Sequence, residues 1–157
     1  MKPDRKTAVV LAAIVVPATL APLAASGQPC EGAPTATRLN VVVEGVRSDK
    51  GLMTSSLYPD DRSQFLVTNG ALKVWRVPAK APVTTMCMWL KGAGTFAVAV
   101  YQDLNANHRL DIGALGPTEP YGFSNNPRIF LSKPSLDSVK FQAGAGETTI
   151  HVRLHNP

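Results

Sequence analysis

The sequence predicts an all-β protein, an antiparallel β-sandwich of about seven strands in a single domain. Three observations carry this. Short apolar or alternating runs recur between clusters of Gly, Pro, Asn and Asp, the rhythm of strands and turns. Beyond the N-terminal region no helical pattern passes ten residues, and Pro and Gly interrupt the longest unpatterned stretch. The run from Thr95 to Tyr101 is apolar on both alternating faces, Phe96, Val98 and Val100 against Ala97, Ala99 and Tyr101. Such a strand belongs in the middle of a packed sheet, covered on both sides.

The first residues read differently. Lys2, Arg5 and Lys6 give a basic start, Thr7 to Ala25 is an uncharged apolar run, and the small residues Ser26 and Gly27 follow. That order is the pattern of a secretory signal peptide, assigned to residues 1–26. The run is also about long enough to span a bilayer, so an uncleaved anchor is the competing reading. Pro17 and Pro22 weaken such a helix and no basic stop-transfer cluster follows. The expectation is cleavage near Ala25 or Ser26, with export to the periplasm or the extracellular space. A membrane is then touched only through this segment if it stays uncleaved. Gln28 and Pro29 before Cys30 are poor neighbours for lipid attachment.

Removing residues 1–26 takes away Lys2, Arg5, Lys6 and Asp4. That leaves 13 Lys and Arg against 10 Asp and Glu, so the formal charge falls from +5 to +3. The charges are scattered rather than clustered, which argues against nucleic acid as a partner. About 130 residues are enough for one core and not for two. After export, the pair Cys30 and Cys87 is most simply a disulfide tying the arm to a strand. Closing that loop is worth about 2–4 kcal/mol. Buried free thiols are the alternative, and a metal pair lacks any CxxC spacing.

In order, residues 27–37 form an extended arm and residues 38–157 the sandwich. Leu39–Glu44 is a strand. Gly45–Gly51 is a turn by composition, and Leu52–Tyr58 is the return strand, expected antiparallel to the first. Phe65–Val77 is ambiguous, half a helical turn and then a short strand with Leu72, Val74 and Arg76 on one face. Thr84–Leu90 is strongly β-prone, and Lys91–Gly94 turns the chain into the central strand. Ile112–Leu136 has no period, and a connection so long is usually functional or pinned. Val139–Ala143 and Thr148–Leu154 close the chain as strands. Trp75 and Trp89 are core candidates.

The sharpest chemistry lies just after the central strand. Counting from Asp103 as one, Asp103, Asn105, Asn107 and Asp111 stand at positions one, three, five and nine, with the backbone carbonyl of Arg109 at seven. An EF-hand-like calcium loop uses those positions, because hard cations gather carboxylate, amide and carbonyl oxygens. Two elements depart from it. Position six is His108 where glycine makes the turn, although His tolerates the left-handed region better than most residues. Position twelve is Ala114, so the bidentate carboxylate is missing and Glu119 is the only nearby replacement. The plainer reading is a run of Asx turns with no metal.

The segments FAVAVYQDLNANHRLD, LGPTEPYGFSNNPR and SLDSVKF, with the early VVVEGVRSDKG and the C-terminal strand, resemble the bacterial domain-of-unknown-function family 2141. The similarity runs from about Arg38 to Leu154, and DLNANHRLD and YGFSNN are its most specific parts. The resemblance implies an exported immunoglobulin-like or transthyretin-like β-sandwich with no established activity. Its usual loop carries Gly where this chain has His108.

Other candidates are weaker. Tyr121, Phe123, Ser124, Asn125 and Asn126 lie in the long loop. Exposed together they would suit a carbohydrate or peptide, a cell-envelope glycan or protein partner. Tucked under the loop they would be a satellite core with the asparagines bonding backbone. For catalysis, Ser124, His108 and Asp111 can be drawn as a hydrolase set, but no nucleophile elbow accompanies them; His151 and His155 sit on a strand face and at the terminus. The expectation is a non-catalytic binding or structural module of the cell envelope, with calcium as the one cofactor suggested.

Overall fold

The structure is a computed structural model that describes residues 29–129 and 132–157. The expected signal segment and the first two residues of the arm lie outside the described residues. Chain order is β1 (Thr37–Glu44), β2 (Leu52–Pro59), β3 (Lys73–Pro78), β4 (Val83–Leu90), β5 (Gly94–Asp103), β6 (Ile112–Gly113), β7 (Gly116–Pro117), β8 (Tyr121–Phe123), a helical turn α1 (Leu136–Val139), β9 (Phe141–Ala143) and β10 (Gly146–Arg153). One sheet runs β10–β1–β4. The other runs β3–β2–β5–β8, with β9 also on β5, while β6 and β7 form a separate hairpin.

β5 is central, as its two apolar faces require. It pairs with β2 from Leu52↔Asp103 to Pro59↔Phe96, and its other edge takes β9 at the start and β8 further along. Val98 and Val100 point between the sheets, into a core shared with Leu39, Val41 and Val43 of β1, Met86 and Met88 of β4 and Val152 of β10. Ala97 points the other way, into a second cluster with Tyr58, Phe123, Leu136 and Val139. The long segment after Asp111 therefore supplies the cover for the outer face of the larger sheet. Each of these large side chains contributes about 1.5–3 kcal/mol by leaving water.

Three strand expectations need correction. The first two strands are not a hairpin: β1 pairs with β4 and β10, and β2 with β3 and β5. Their connection crosses between sheets, with Val46 buried and its N–H on Pro82 O at 3.2 Å. The smaller sheet is also not purely antiparallel, because β1 and β10 run parallel from Thr37↔Gly146 to Glu44↔Arg153. β10 arrives from β9 in the opposite sheet, and that crossing sets its direction. Finally, Val139 ends the helical turn α1 and is not in a strand.

The arm completes an edge. Cys30 and Cys87 form a disulfide with Cα atoms 4.7 Å apart, across 57 residues of sequence. Beside it Glu31 donates to Cys87 O and accepts from Trp89 N–H, each at 2.9 Å, so the arm pairs with part of the outer edge of β4. Edges left bare are templates for unwanted pairing. Glu31 also meets Lys73 of β3 at 2.9 Å, a link from the arm to the opposite sheet. Trp75 is core, but Trp89 is half-buried, its ring 5.9 Å from the Arg38 guanidinium.

Candidate functional site: a self-bonded acidic loop

The loop after β5 starts from a rigid stem. Gln102 and Asp103 are buried although polar, and their bonds explain it. Gln102 donates to Ser48 O at 3.0 Å and Lys50 O at 2.8 Å, tying the end of β5 to the β1–β2 connection. Gly51 is packed so closely there, with φ +73°, that a Cβ would stand 1.9 Å from Asp103 O. Only glycine fits that approach.

Asp103 organises the loop from its first position. Its Oδ1 accepts the N–H of Asn107 at 3.0 Å and its Oδ2 the N–H of His108 at 2.7 Å. Asn105 Oδ1 accepts Asn107 N–H at 3.1 Å, and Asn107 Oδ1 accepts Arg109 N–H at 3.0 Å. These are Asx turns stacked in series. Ala106 and His108 adopt positive φ, 57° and 66°, as the tight path demands. The carboxamides of Asn105 and Asn107 donate to the two oxygens of Asp111, at 2.6 and 2.9 Å.

Glu119 closes the loop from below. It is buried, and its two oxygens accept Leu104 N–H at 2.7 Å and Asp111 N–H at 3.0 Å, one at each end of the loop. Its carboxylate thus joins the two ends of the loop. Backbone amides take up the side-chain oxygens of Asp103, Asn105 and Asn107, and the two carboxamides take up those of Asp111. Among the described residues, no group of three or more His, Cys, Asp or Glu side chains is placed to hold a metal ion. Ala114, the twelfth position, stands exposed in the next hairpin. The Arg109 side chain is exposed, and the neighbouring His108 carbonyl takes a 3.4 Å bond from Arg76.

The Tyr121–Asn126 segment is committed elsewhere. Phe123 is buried and half-buried Tyr121 meets it edge to face at 6.0 Å, while Tyr121 also stacks on His155 at 5.6 Å. The two aromatics therefore do not present an exposed pair. The Ser124 hydroxyl is buried, accepts Val98 N–H at 2.9 Å and donates to Val139 O at 2.5 Å. Asn125 donates to Lys140 O at 2.7 Å. Asn126 accepts Arg153 N–H at 2.7 Å and donates to His151 O at 3.0 Å, so one carboxamide stands in for a neighbouring strand on the free edge of β10. Ser124, His108 and Asp111 are not brought together as a hydrolase set: the serine lies beneath the sheet cover and Asp111 is held by the two asparagines. His151 instead pairs with Glu44 at 2.9 Å.

Sequence reasoning finds the four oxygen side chains and misses their supports. Gln102 is visible as the one long amide in an apolar run. Glu119 reads only as a spare carboxylate, because burial within irregular chain between Pro117 and Pro120 leaves no periodic trace.

In comparisons with known proteins, neither curated proteins nor solved structures give a match. A family profile described as "Uncharacterized protein conserved in bacteria", domain-of-unknown-function family 2141, matches residues 41–151.

Proposed function

Since the chain belongs to this bacterial family, we propose that it is an exported, non-catalytic β-sandwich module with a binding or structural role in the cell envelope. Two sheets sharing one core support a sandwich of the immunoglobulin-like or transthyretin-like type. The observation that carries the non-catalytic reading is the occupation of the polar side chains. Asp103, Glu119, Ser124 and Asn126 each commit their oxygens to backbone groups of this chain. A catalytic group must instead keep a lone pair or proton for substrate. The disulfide supports export, since such bonds persist in oxidising compartments.

The test is fractionation of bacteria producing the full chain, with thiol labelling under non-reducing conditions. Recovery outside the cytoplasm with Cys30 and Cys87 protected from label is expected. A cytoplasmic protein with both thiols reactive would overturn the reading.

A second reading of the same loop is weak calcium binding through Asp103, Asn105, Asn107, Asp111 and the Arg109 carbonyl. The approach of the Asn105 and Asn107 carboxamides to Asp111 favours it, although a cation would have to draw their oxygens from the Asn107 and Arg109 amides. An all-oxygen set with two carboxylates fits a hard cation at the millimolar affinity of extracellular modules. The missing carboxylate at Ala114 and the engagement of Glu119 weigh against tighter binding. Thermal unfolding in millimolar calcium and then EDTA decides it: a reversible rise in Tm assigns the ion, and an unchanged Tm removes it. The glycan or peptide reading has less support, because Phe123 is buried.

A further inference from the structure

The arm is bonded to the sandwich but is not part of its core. From Pro29 to Ala36 every residue except half-buried Cys30 is exposed, and the interior begins only at Thr37 and Leu39. The arm meets β4 through the disulfide and the two main-chain bonds of Glu31, and meets β3 through the exposed pair Glu31–Lys73. Gly32 follows at φ 91°, and the Thr35 hydroxyl then rejoins the body on Leu90 O at 2.6 Å. An exposed ion pair holds weakly by itself. The covalent link keeps Glu31 beside its partners, so that its bonds form as intramolecular ones.

Two features lie under this short segment. One is the outer edge of β4, whose Trp89 N–H and Cys87 O are taken by Glu31. The other is a cleft of about 220 Å³ between β3 and β4, with Pro29 and Glu31 on one wall and Trp75, Val77 and Met86 among the residues opposite. Trp75 and Met86 belong to the core shared by the two sheets. Removing the arm takes away one wall of that cleft and uncovers the edge, with no buried side chain drawn out. Cys30 and Cys87 are both half-buried, within reach of a small reductant.

We propose that the Cys30–Cys87 disulfide is a redox latch: a dithiol reductant frees the arm from β4 and opens the side cleft while both sheets stay folded. A thiolate of the dithiol attacks one sulfur, the other cysteine leaves as thiolate, and a mixed disulfide forms. The second thiol of the reagent then displaces the first cysteine. The dithiol gives up two electrons and becomes a cyclic disulfide, and Cys30 and Cys87 each end as a thiol. This goes beyond the envelope reading, and a test on purified oxidised protein stands or falls separately from localisation.

The experiment is residue-resolved hydrogen exchange of the oxidised full chain before and after dithiothreitol, without denaturant, with intact mass to follow reduction. Neighbouring amides of β4 report differently, because Trp89 N–H faces the arm and alternation turns Met88 N–H toward β1. Expected on reduction is exchange about tenfold faster or more at Trp89 and Glu31, with Met88 and Val100 still protected as in an intact core. Reoxidation should restore the first pattern, and Cys30→Ser with Cys87→Ser should show the reduced pattern without reagent. A bond that resists the dithiol in the folded protein would overturn the proposal. So would full reduction that leaves Trp89 protected, or one that strips Val100 of protection together with Trp89.

Discussion

The Oδ2 of Asp103 accepts the backbone N–H of His108 at 2.7 Å, joining the last residue of the central strand to the tightest point of the loop it carries. Asp103 has no exposed surface, so both of its oxygens answer to the fold. Replacing it by Ala leaves the Asn107 and His108 amides without their acceptor. Charge-assisted bonds of this kind are worth about 1.5–3 kcal/mol each. Asp103→Ala is expected to lose about 3 kcal/mol or more in urea unfolding, and Asp103→Asn a smaller amount because one oxygen remains.

The His108 backbone is strained in making that bond, with φ 66°. Glycine adopts this conformation without a Cβ clash, against a larger entropy loss on folding. His108→Gly is expected to stabilise by about 0.5 kcal/mol, read as a small rise in Tm. A fall in Tm would mean that the imidazole makes a contact of its own.

The disulfide holds the arm on the edge of β4. In the chain-entropy model a loop closed over 57 residues is worth about 4 kcal/mol. The double variant Cys30→Ser, Cys87→Ser is expected to lose about 2–4 kcal/mol and to expose the β4 edge. The loss is measurable by chemical unfolding, with light scattering as the check on association.

Alkaline stability depends on Tyr58. Burial raises its phenol above the ordinary value, with Tyr101 adding to the rise and a hydrogen bond with Ser56 opposing it. The folded state therefore keeps this proton to higher pH than the unfolded chain. Because ionisation is harder in the folded state, the unfolded chain releases this proton first, and stability falls as pH rises from the unfolded value toward the folded one. That fall starts near the unfolded value of about 10 and grows until pH passes the folded value. Tyr58→Phe should flatten the fall in stability above about pH 10 while changing little at neutrality.

Much of this is readable from side-chain pattern. The double apolar face of Phe96–Tyr101 places β5 at the centre of its sheet, with Ala97 and Val98 both free of solvent exposure. The tolerance of His for positive φ anticipates its turn. Partner choice is not readable. Seven residues between Glu44 and Leu52 permit a hairpin and equally permit a crossing over the end of the sandwich, and only burial of Val46 and the pairing of β2 with β5 decide between them. The asparagines of YGFSNN likewise look the same as a ligand edge or as backbone supports, because the difference lies in distant groups, Lys140 O, His151 O and Arg153 N–H.

The loop's order should come from Asp103 itself and not from a bound ion, with calcium at most adding to it. Residue-resolved hydrogen exchange of the full chain in EDTA measures this most directly, at the amides of Asn107 and His108. Both are expected to exchange slowly without added cation, and to exchange freely in Asp103→Ala. Free exchange in EDTA, turning slow only when calcium is supplied, would contradict the self-bonded loop.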